Sequence, residues 1–409
     1  MVLKSTLHKN SAYDFTKLQL GNGSIFAPVD IWHRRRKILV PSFAPKYVNK
    51  FIAVFEAQDK TLVEQLKSKV GKGNFSCWDF IASYALDSVC ETVFGMNVEM
   101  QRQPEHPLFN AFNEFLKSFV PRIFKPWVYS DAIYKLTATY SRQEQMKEII
   151  YEFINDLIYK KKAQIRERNG NEAGTNNDPI HTNQLKSSVE FLINASFTHE
   201  ELREEALVLL LAGTDTSAAG ISTTILLLSQ HTDIQERVYR EIQEVIGDLN
   251  NPLQLKDLLK LKYTKAVINE TLRLYPPVPF IVRDCIEDII LPSGITLPKD
   301  TIAVINIWGI HHNPQHWGED VNDFNPDRFM SGQIPKAFMP FSHGLRNCIG
   351  QQYAMLSLTT TLVTLLRNYR FTPATNLTYD KNNPLRISFD VTLKHVDNYT
   401  IQIENRDKM

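Results

Sequence analysis

A ten-residue run near the C-terminal end, Phe341-Ser-His-Gly344-Leu-Arg346-Asn-Cys348-Ile-Gly350, stands directly ahead of an apolar helical stretch from about Ile349 to Leu366. It constrains the fold more than any other part of the chain. Five identities at fixed spacing (Phe341, Gly344, Arg346, Cys348, Gly350) recur by chance roughly once in ten thousand chains of this length, at about one in twenty per position. A thiol placed there sits at a helix N-terminus, where N–H groups without intrahelical acceptors and the macrodipole favour a thiolate. Gly344 and Gly350 let the backbone approach a flat partner, Arg346 offers a cation to a carboxylate, and Phe341 can shield the sulfur from water. A lone Cys before a core helix is usually a buried structural residue. Here the spacing of glycines, arginine and aromatic reverses that preference.

Composition narrows the setting. The 409 residues are 43% apolar, enough for a large core, and 46 Lys plus Arg balance 45 Asp plus Glu to a net charge of +1. Nothing in that balance attracts nucleic acid. The four cysteines, at 77, 90, 285 and 348, form no C-x-x-C pair, so a disulfide framework or zinc knuckle is not expected and the reading is reduced and intracellular. Six N-x-S/T sites, at Asn22, Asn74, Asn194, Asn269, Asn376 and Asn398, are discounted because Met1 to Asn10 has no apolar signal core. No transmembrane segment is expected. The longest continuous apolar stretch, Ala206 to Ala212, is far short of the roughly 20 residues a bilayer requires.

Helical periodicity runs over Tyr47–Lys67, Trp78–Phe94, Pro107–Val120, with Phe109, Phe112, Leu116 and Phe119 on one face, and Tyr140–Arg168. The polar stretch Asn169–Gln184 reads as a surface loop. A long helix should then start at Thr198, where Thr198 and Glu201 have capping-box spacing, and continue to about Leu228. Strands are expected late: a hairpin around Ser293-Gly294, a strand over Thr301–Ile307, and alternating strands over Leu385–Ile403 turned at Asp397-Asn398. The fold class is mainly α with a minor β-sheet, and no Pro- or Ser-rich linker divides the chain, so 1–409 reads as a single domain.

A thiolate ligand to haem iron needs the features gathered around Cys348, and this segment resembles the haem-binding signature of the cytochrome P-450 family of haem-thiolate monooxygenases. Other segments extend the resemblance. Among several E-x-x-R patterns, only Glu270-Thr-Leu-Arg273 is followed by Leu-Tyr-Pro-Pro and then by Phe324-Asn-Pro-Asp-Arg328-Phe. In the family this Glu and the two Arg form a buried charged triad behind the haem, a structural role. The polar island Ala212-Gly-Thr-Asp215-Thr216-Ser217 weakens an otherwise apolar helix and is similar to the family's oxygen-activation groove. There Thr216 would bond the carbonyl four residues back and hold dioxygen and its water, with Asp215 relaying protons. Trp32-His-Arg-Arg-Arg36 matches a W-x-x-x-R helix whose Trp and Arg contact haem propionates. That makes Trp32 and Arg36 cofactor-binding expectations and leaves Arg34, Arg35 and Lys37 facing outward; Arg283 is a further propionate residue. His311, His312 and His316 lie on a strand-to-loop stretch with no partners at metal-ligand spacing and read as structure.

The resemblance implies a cytochrome P-450 fold without the N-terminal anchor and opening strands. It implies haem b on Cys348, bordered by Phe341 and Arg346, and insertion of one oxygen atom from O2 into a C–H bond of an apolar substrate (fatty acid, lipid hormone or xenobiotic). Phe280, Ile281, Leu211 and Ala212 are expected pocket walls. It is nearest to the animal microsomal fatty-acid omega-hydroxylase class, though many members carry a haem-esterifying Glu where this chain has Ala212. No complete G-x-G-x-x-G is present, so electrons come from a partner, NADPH-cytochrome P-450 reductase with cytochrome b5 as a second donor. Arg34, Arg35 and Lys37 are the expected dock for an acidic partner. The family setting is the cytosolic face of the endoplasmic reticulum membrane, with aromatic residues from Phe109 to Trp127 either touching the bilayer or facing the core. Two rival readings stay open: a haem-thiolate isomerase or dehydratase, which would have little need of Thr216 and Asp215, and a catalytically impaired isoform short at its N-terminus.

Overall fold

The computed structural model describes residues 2, 6–172, 186–247, 249, 251–377, 379 and 384–406. In chain order the principal helices are α1 (Asn10–Leu20), α2 (Val29–Leu39), α3 (Ile52–Leu66), α4 (Trp78–Val89), α5 (Pro107–Lys117), α6 (Ala138–Glu172) and α7 (Ser188–Asn194). They continue with α8 (His199–Gln230), α9 (Thr232–Val245), α10 (Lys262–Leu274), α11 (Ile307–His311), α12 (Pro314–Trp317) and α13 (Gln351–Asn368). Strands β1 (Phe75–Ser76), β2 (Phe280–Asp284), β3 (Ile289–Ile290), β4 (Thr296–Leu297), β5 (Ile302–Asn306), β6 (Tyr369–Pro373), β7 (Ile387–Asp390), β8 (Thr392–His395) and β9 (Thr400–Asn405) make four small antiparallel sheets. The architecture is mainly α with minor sheets, as expected. Of the anticipated loop Asn169–Gln184, residues 169–172 end α6 and the remainder lies outside the described residues.

Two compact units emerge, one comprising Met1–Leu7, Ile52–Ala85 and Thr214–Met409, the other His8–Phe51 and Leu86–Gly213. In the second unit α5 buries Leu108, Ala111, Phe112, Phe115 and Leu116, a broader stripe than the one read from sequence, and Phe109 is only half-buried. The start of α8 carries the anticipated capping box: Thr198 N–H donates to Glu201 Oε2 at 3.0 Å and Glu201 N–H to Thr198 Oγ1 at 3.2 Å. On α2 the register corrects the sequence reading. Trp32, Arg35 and Leu39 share the buried face, as their i, i+3, i+7 spacing dictates. Arg35 therefore points inward, where Glu204 (2.9 Å) and Glu205 (3.1 Å) offset its desolvation. Arg34 pairs with Glu201. The expected three-residue basic dock thus loses Arg35 altogether, and Arg34 is already held by a carboxylate.

Helix α8 is continuous through its polar island. Gly213 stands there because a Cβ would come within 2.8 Å of Val89 Cγ2, so the close approach of two helical segments outweighs the propensity cost of about 1 kcal/mol. Among the described residues α8 is also long and apolar enough to cross a membrane, contrary to the expectation from continuous apolar runs, because small Gly, Ala, Ser and Thr residues interleave with the Leu and Ile. Its most apolar window is 83% buried inside the structure, as for a core helix.

The first unit is built on an apolar core from α3, α4, α8, α9, α10, α13, β6 and β9, including Leu62, Leu226, Val238, Val267, Leu362, Phe371 and Ile401. The β3–β4 hairpin turns at Gly294, where φ is 82°, as expected. The C-terminal strands differ from the sequence reading. β7 and β8 pair with each other about Val391, whereas β9 pairs with β1 and β6, so the Asp397-Asn398 turn joins two sheets and does not close a hairpin. His311 and His316 lie on short helices, α11 and α12, not on a strand-to-loop stretch.

The first unit also holds a charged cluster in which Glu270 and Arg273 are fully buried and Arg328 largely so. Arg273 donates to both oxygens of Glu270, from Nε at 2.7 Å and from Nη2 at 2.8 Å. Arg328 Nε reaches Glu270 Oε1 at 3.3 Å, and Asn325 N–H donates to the same oxygen at 3.0 Å. Arg273 Nη1 donates to the His311 carbonyl at 2.9 Å. The His311 ring returns the connection: Nε2 accepts from Met339 N–H at 2.9 Å, so the other nitrogen, Nδ1, carries the proton and donates to the Arg273 carbonyl at 3.0 Å.

Burial holds His311 neutral, pushing its pKa from 6.5 down to about 4. The unfolded chain therefore takes up the proton first as pH falls. The stabilising contribution is complete above about pH 6.5 and is lost as pH falls through about 4, with a slope of up to about 1.4 kcal/mol per pH unit. Urea unfolding measured from pH 7 to 4 should show this loss, and His311→Gln should remove about one proton's share of the slope while lowering stability at pH 7. An unchanged slope would refute the assignment.

Candidate functional site

Cys348 is presented by a loop closed on itself. Its N–H donates to the Phe341 carbonyl at 2.9 Å, Asn347 N–H to Gly344 O at 3.1 Å, and Ser342 N–H to Met339 O at 3.0 Å. Ser342 and Gly344 both have positive φ, 62° and 79°; the second is a conformation for which glycine is the ordinary solution. Met339, at the head of this loop, is the residue whose N–H is held by His311, so the charged cluster fixes the loop's origin. Gly350 follows as the N-cap of α13.

Of the four cysteines, Cys77, Cys90 and Cys285 are buried and Cys348 alone is exposed. Burial pushes the Cys77 thiol up to about 12 and the Cys90 and Cys285 thiols upward as well, which leaves them inert. Beside Cys348, a Cβ added at Gly350 would meet nothing within 4 Å beyond its chain neighbours except Cys348 Sγ, at 3.9 Å. The missing side chain therefore keeps open a flat approach to the sulfur. Phe341 is half-buried against the core of the first unit, and Arg346 is buried two residues before the thiol.

The polar island of α8 places its carboxylate unambiguously. Asp215 Oδ2 accepts from Thr392 Oγ1 at 2.6 Å and Oδ1 from Lys394 Nζ at 2.5 Å, both on β8. Lys394 Nζ also lies 4.1 Å from the centroid of the Trp78 ring, a cation–π contact. Thr216, the next residue on the helix, is half-buried. Thr392 and Lys394 lie 177 and 179 residues from Asp215, and no local pattern could have announced them. Arg283 is buried on β2, its Nη1 donating to the Val282 carbonyl at 2.8 Å. Trp32, buried, and Arg36, half-buried, belong to α2 in the second unit.

A family model described as Cytochrome P450 matches residues 2–394. The chain belongs to the cytochrome P450 family. It is 32% identical over 417 aligned positions to cytochrome P450 4c3 of Drosophila melanogaster, covering 98% of this chain and 77% of that protein. Against cytochrome P450 4V2 of Homo sapiens the identity is 31% over 377 positions, covering 89% and 71%. Cytochrome P450 4c21 of Blattella germanica is 31% identical over 382 positions, covering 91% and 76%. As a P450 the chain is an oxidoreductase, a haem-thiolate monooxygenase that takes dioxygen, a substrate and electrons from a redox partner.

The residues present fit haem. Among the described residues no group of three His, Cys, Asp or Glu could hold a metal ion. A macrocycle that brings its own iron ligands would need only one thiolate from the protein, and Cys348 could supply it. The exposed thiol, the helix N-terminus behind it and the open face at Gly350 would suit a flat haem held through Cys348.

Two outcomes follow. In haem-free native protein, iodoacetamide should alkylate Cys348 at least about tenfold faster than the three buried thiols, and haem should protect it; peptide mass spectrometry reads both, and equal labelling of all four would contradict the geometry. Asp215→Asn, Lys394→Met and the double variant should show a coupling of roughly 1–3 kcal/mol in urea unfolding, since each single change strands a charge or polar group that is wholly or largely shielded from water. Additive losses would mean that the pair contributes nothing.

Proposed function

We propose that this P450 hydroxylates an apolar, elongated substrate, such as a fatty acid, lipid hormone or xenobiotic. Haem b is bound through Cys348, and electrons come from NADPH-cytochrome P450 reductase with cytochrome b5 as a second donor. The observation that carries the reading is the exposed Cys348 thiol at the N-terminus of α13, set within the segment Phe341–Gly350 and anchored through Met339 and His311 to the buried charged cluster.

Haem, when bound, supplies the reductive activation of dioxygen. Cys348 Sγ would hold the iron, and the α13 N-terminus would stabilise the negative charge of the thiolate. Arg346, Arg283 and Arg36, with the Trp32 indole, offer donors to the propionates, and Phe341 excludes water from the sulfur. On α8, Thr216 Oγ1 would hold a proton facing the haem site, and the Asp215 carboxylate, held by Thr392 and Lys394, would pass protons to Thr216 from solvent. Phe280, Ile281, Leu211 and Ala212 provide an apolar wall that orients the substrate. The whole chain from 1 to 409 acts as one haem domain in this scheme.

The setting we favour is the cytosolic face of the endoplasmic reticulum membrane. Phe124, Trp127, Tyr129 and Leu136 are exposed, and the buried Arg122, donating to the Val128 and Tyr129 carbonyls at 3.2 and 2.8 Å and to Asp131 at 2.6 Å, fixes the backbone that displays them. Such a patch suits an interfacial contact.

Reduction of the purified, haem-loaded protein under carbon monoxide should give the strongly red-shifted Soret band of thiolate ligation. Its absence from well-folded, haem-loaded protein would overturn the reading. With reductase and NADPH, Thr216→Ala should lower product formation about tenfold or more and divert electrons to hydrogen peroxide; unchanged coupling would remove Thr216 from the mechanism.

A further inference from the structure

Within the second unit, the turn between α1 and α2 closes onto the first turns of α8. Asn22 N–H donates to Glu204 Oε1 at 3.0 Å, and Ser24 N–H donates to Glu205 Oε2 at 3.0 Å. Arg35, from α2, grips the same two carboxylates. Its Nη2 donates to Glu204 Oε2 at 2.9 Å, and its Nη1 to Glu205 Oε2 at 3.1 Å and to the Asn22 carbonyl at 2.7 Å. Phe197, just ahead of α8, presents its ring 5.8 Å from Arg35 Cζ.

Stability alone is a weak reason for this arrangement, because a buried ion pair roughly breaks even with apolar residues of the same volume. What the planar fork adds is direction. With acceptors on two separate segments fixing its plane, Arg35 cannot keep its bonds if α2 turns about its own axis. Arg36 is the next residue, about 100° further round that axis. A helical side chain ends roughly 5–6 Å from the axis, so a turn of about 10° moves its tip by about 1 Å. A displacement of that size is enough to spoil a hydrogen bond. The neighbouring pair of Arg34 with Glu201 is exposed on the arginine side, and such a pair restrains α2 only weakly.

We propose that Arg35, Glu204 and Glu205 form a latch that sets the rotation of α2 and thereby aims Arg36 at a haem propionate. They are positioning residues, acting on the cofactor only through Arg36. This inference rests on the role given to Arg36 under the proposed function. It adds to that role the three side chains that make it possible, one on the inward face of α2 and two at the start of α8.

The test is the rate at which the purified haem-loaded protein loses ferric haem to excess apomyoglobin, followed in the Soret band. Arg36→Ala should speed the loss about tenfold, and Arg35→Met should do the same although it leaves Arg36 in place. In the Arg36→Ala background Arg35→Met should add less than about twofold, because the contact that the latch aims is already gone. A general loosening of the fold would instead multiply the rate equally in both backgrounds. Glu204→Gln keeps an acceptor for the Asn22 amide while setting an amide N–H against Arg35. It should speed the loss about threefold alone, and it carries the test if circular dichroism shows that Arg35→Met is not folded. Should Arg36→Ala accelerate haem loss while the folded latch variants do not, or should they act equally in both backgrounds, the latch is overturned and the role of Arg36 stands. No effect of Arg36→Ala overturns both.

Discussion

The buried Glu270–Arg273–Arg328 cluster is the interaction on which the rest of the first unit depends. Removing a carboxylate and two guanidinium groups from water is costly, and the cost is met only because nearly every polar atom finds a partner: Glu270 accepts from two arginines and the Asn325 amide, while Arg273 and Arg328 also reach the carbonyls of His311, Asp323, Trp317 and Asp320. Breaking one member would strand the others, at about 3–5 kcal/mol. The same geometry carries mechanical information outward. His311 is fixed in one tautomer between the Arg273 carbonyl and the Met339 amide, and Met339 begins the loop that ends in the exposed Cys348. A stability device is thereby also a positioning device.

Helix α8 shows a different compromise. It is a core helix over most of its length, yet it carries Gly213, Thr214, Asp215 and Thr216 in succession, residues that its own propensity disfavours. Packing accounts for one of them, since Val89 leaves no room for a side chain at Gly213. The carboxylate of Asp215 is compensated electrostatically: β8 contributes Thr392 and Lys394, and Trp78 covers the ammonium. A carboxylate next to Thr216 is therefore held buried and ionically paired.

Much of the fold is legible in residue order alone. The capping box at Thr198 and Glu201, the hairpin at Gly294 and the long helix after Thr198 follow from local rules of turn and cap chemistry, and the folded chain reproduces them. Differences arise where local rules do not reach. A basic run is usually solvated, which points Arg35 outward, whereas helical register turns it onto the face of Trp32 and Leu39, where Glu204 and Glu205 await it. The Asp397-Asn398 turn has the composition of a hairpin, but strand pairing is decided by partners far away in sequence, and β9 joins β1 and β6. The α8 apolar window escapes a count of consecutive apolar residues because such a count ignores small residues that pack equally well.

The sequence by itself determined the family, the thiol proposed to hold the iron and the membership of the charged cluster, because those rest on residue types at short, fixed spacings that chemistry makes hard to replace. Only the tertiary structure decided which of four thiols faces outward, which carbonyls satisfy the buried arginines, and that Asp215 is held by Lys394. Those are contacts between residues distant along the chain. They are set by how the core closes, and burial, which gives charges and thiols their chemical character, exists only once it has closed.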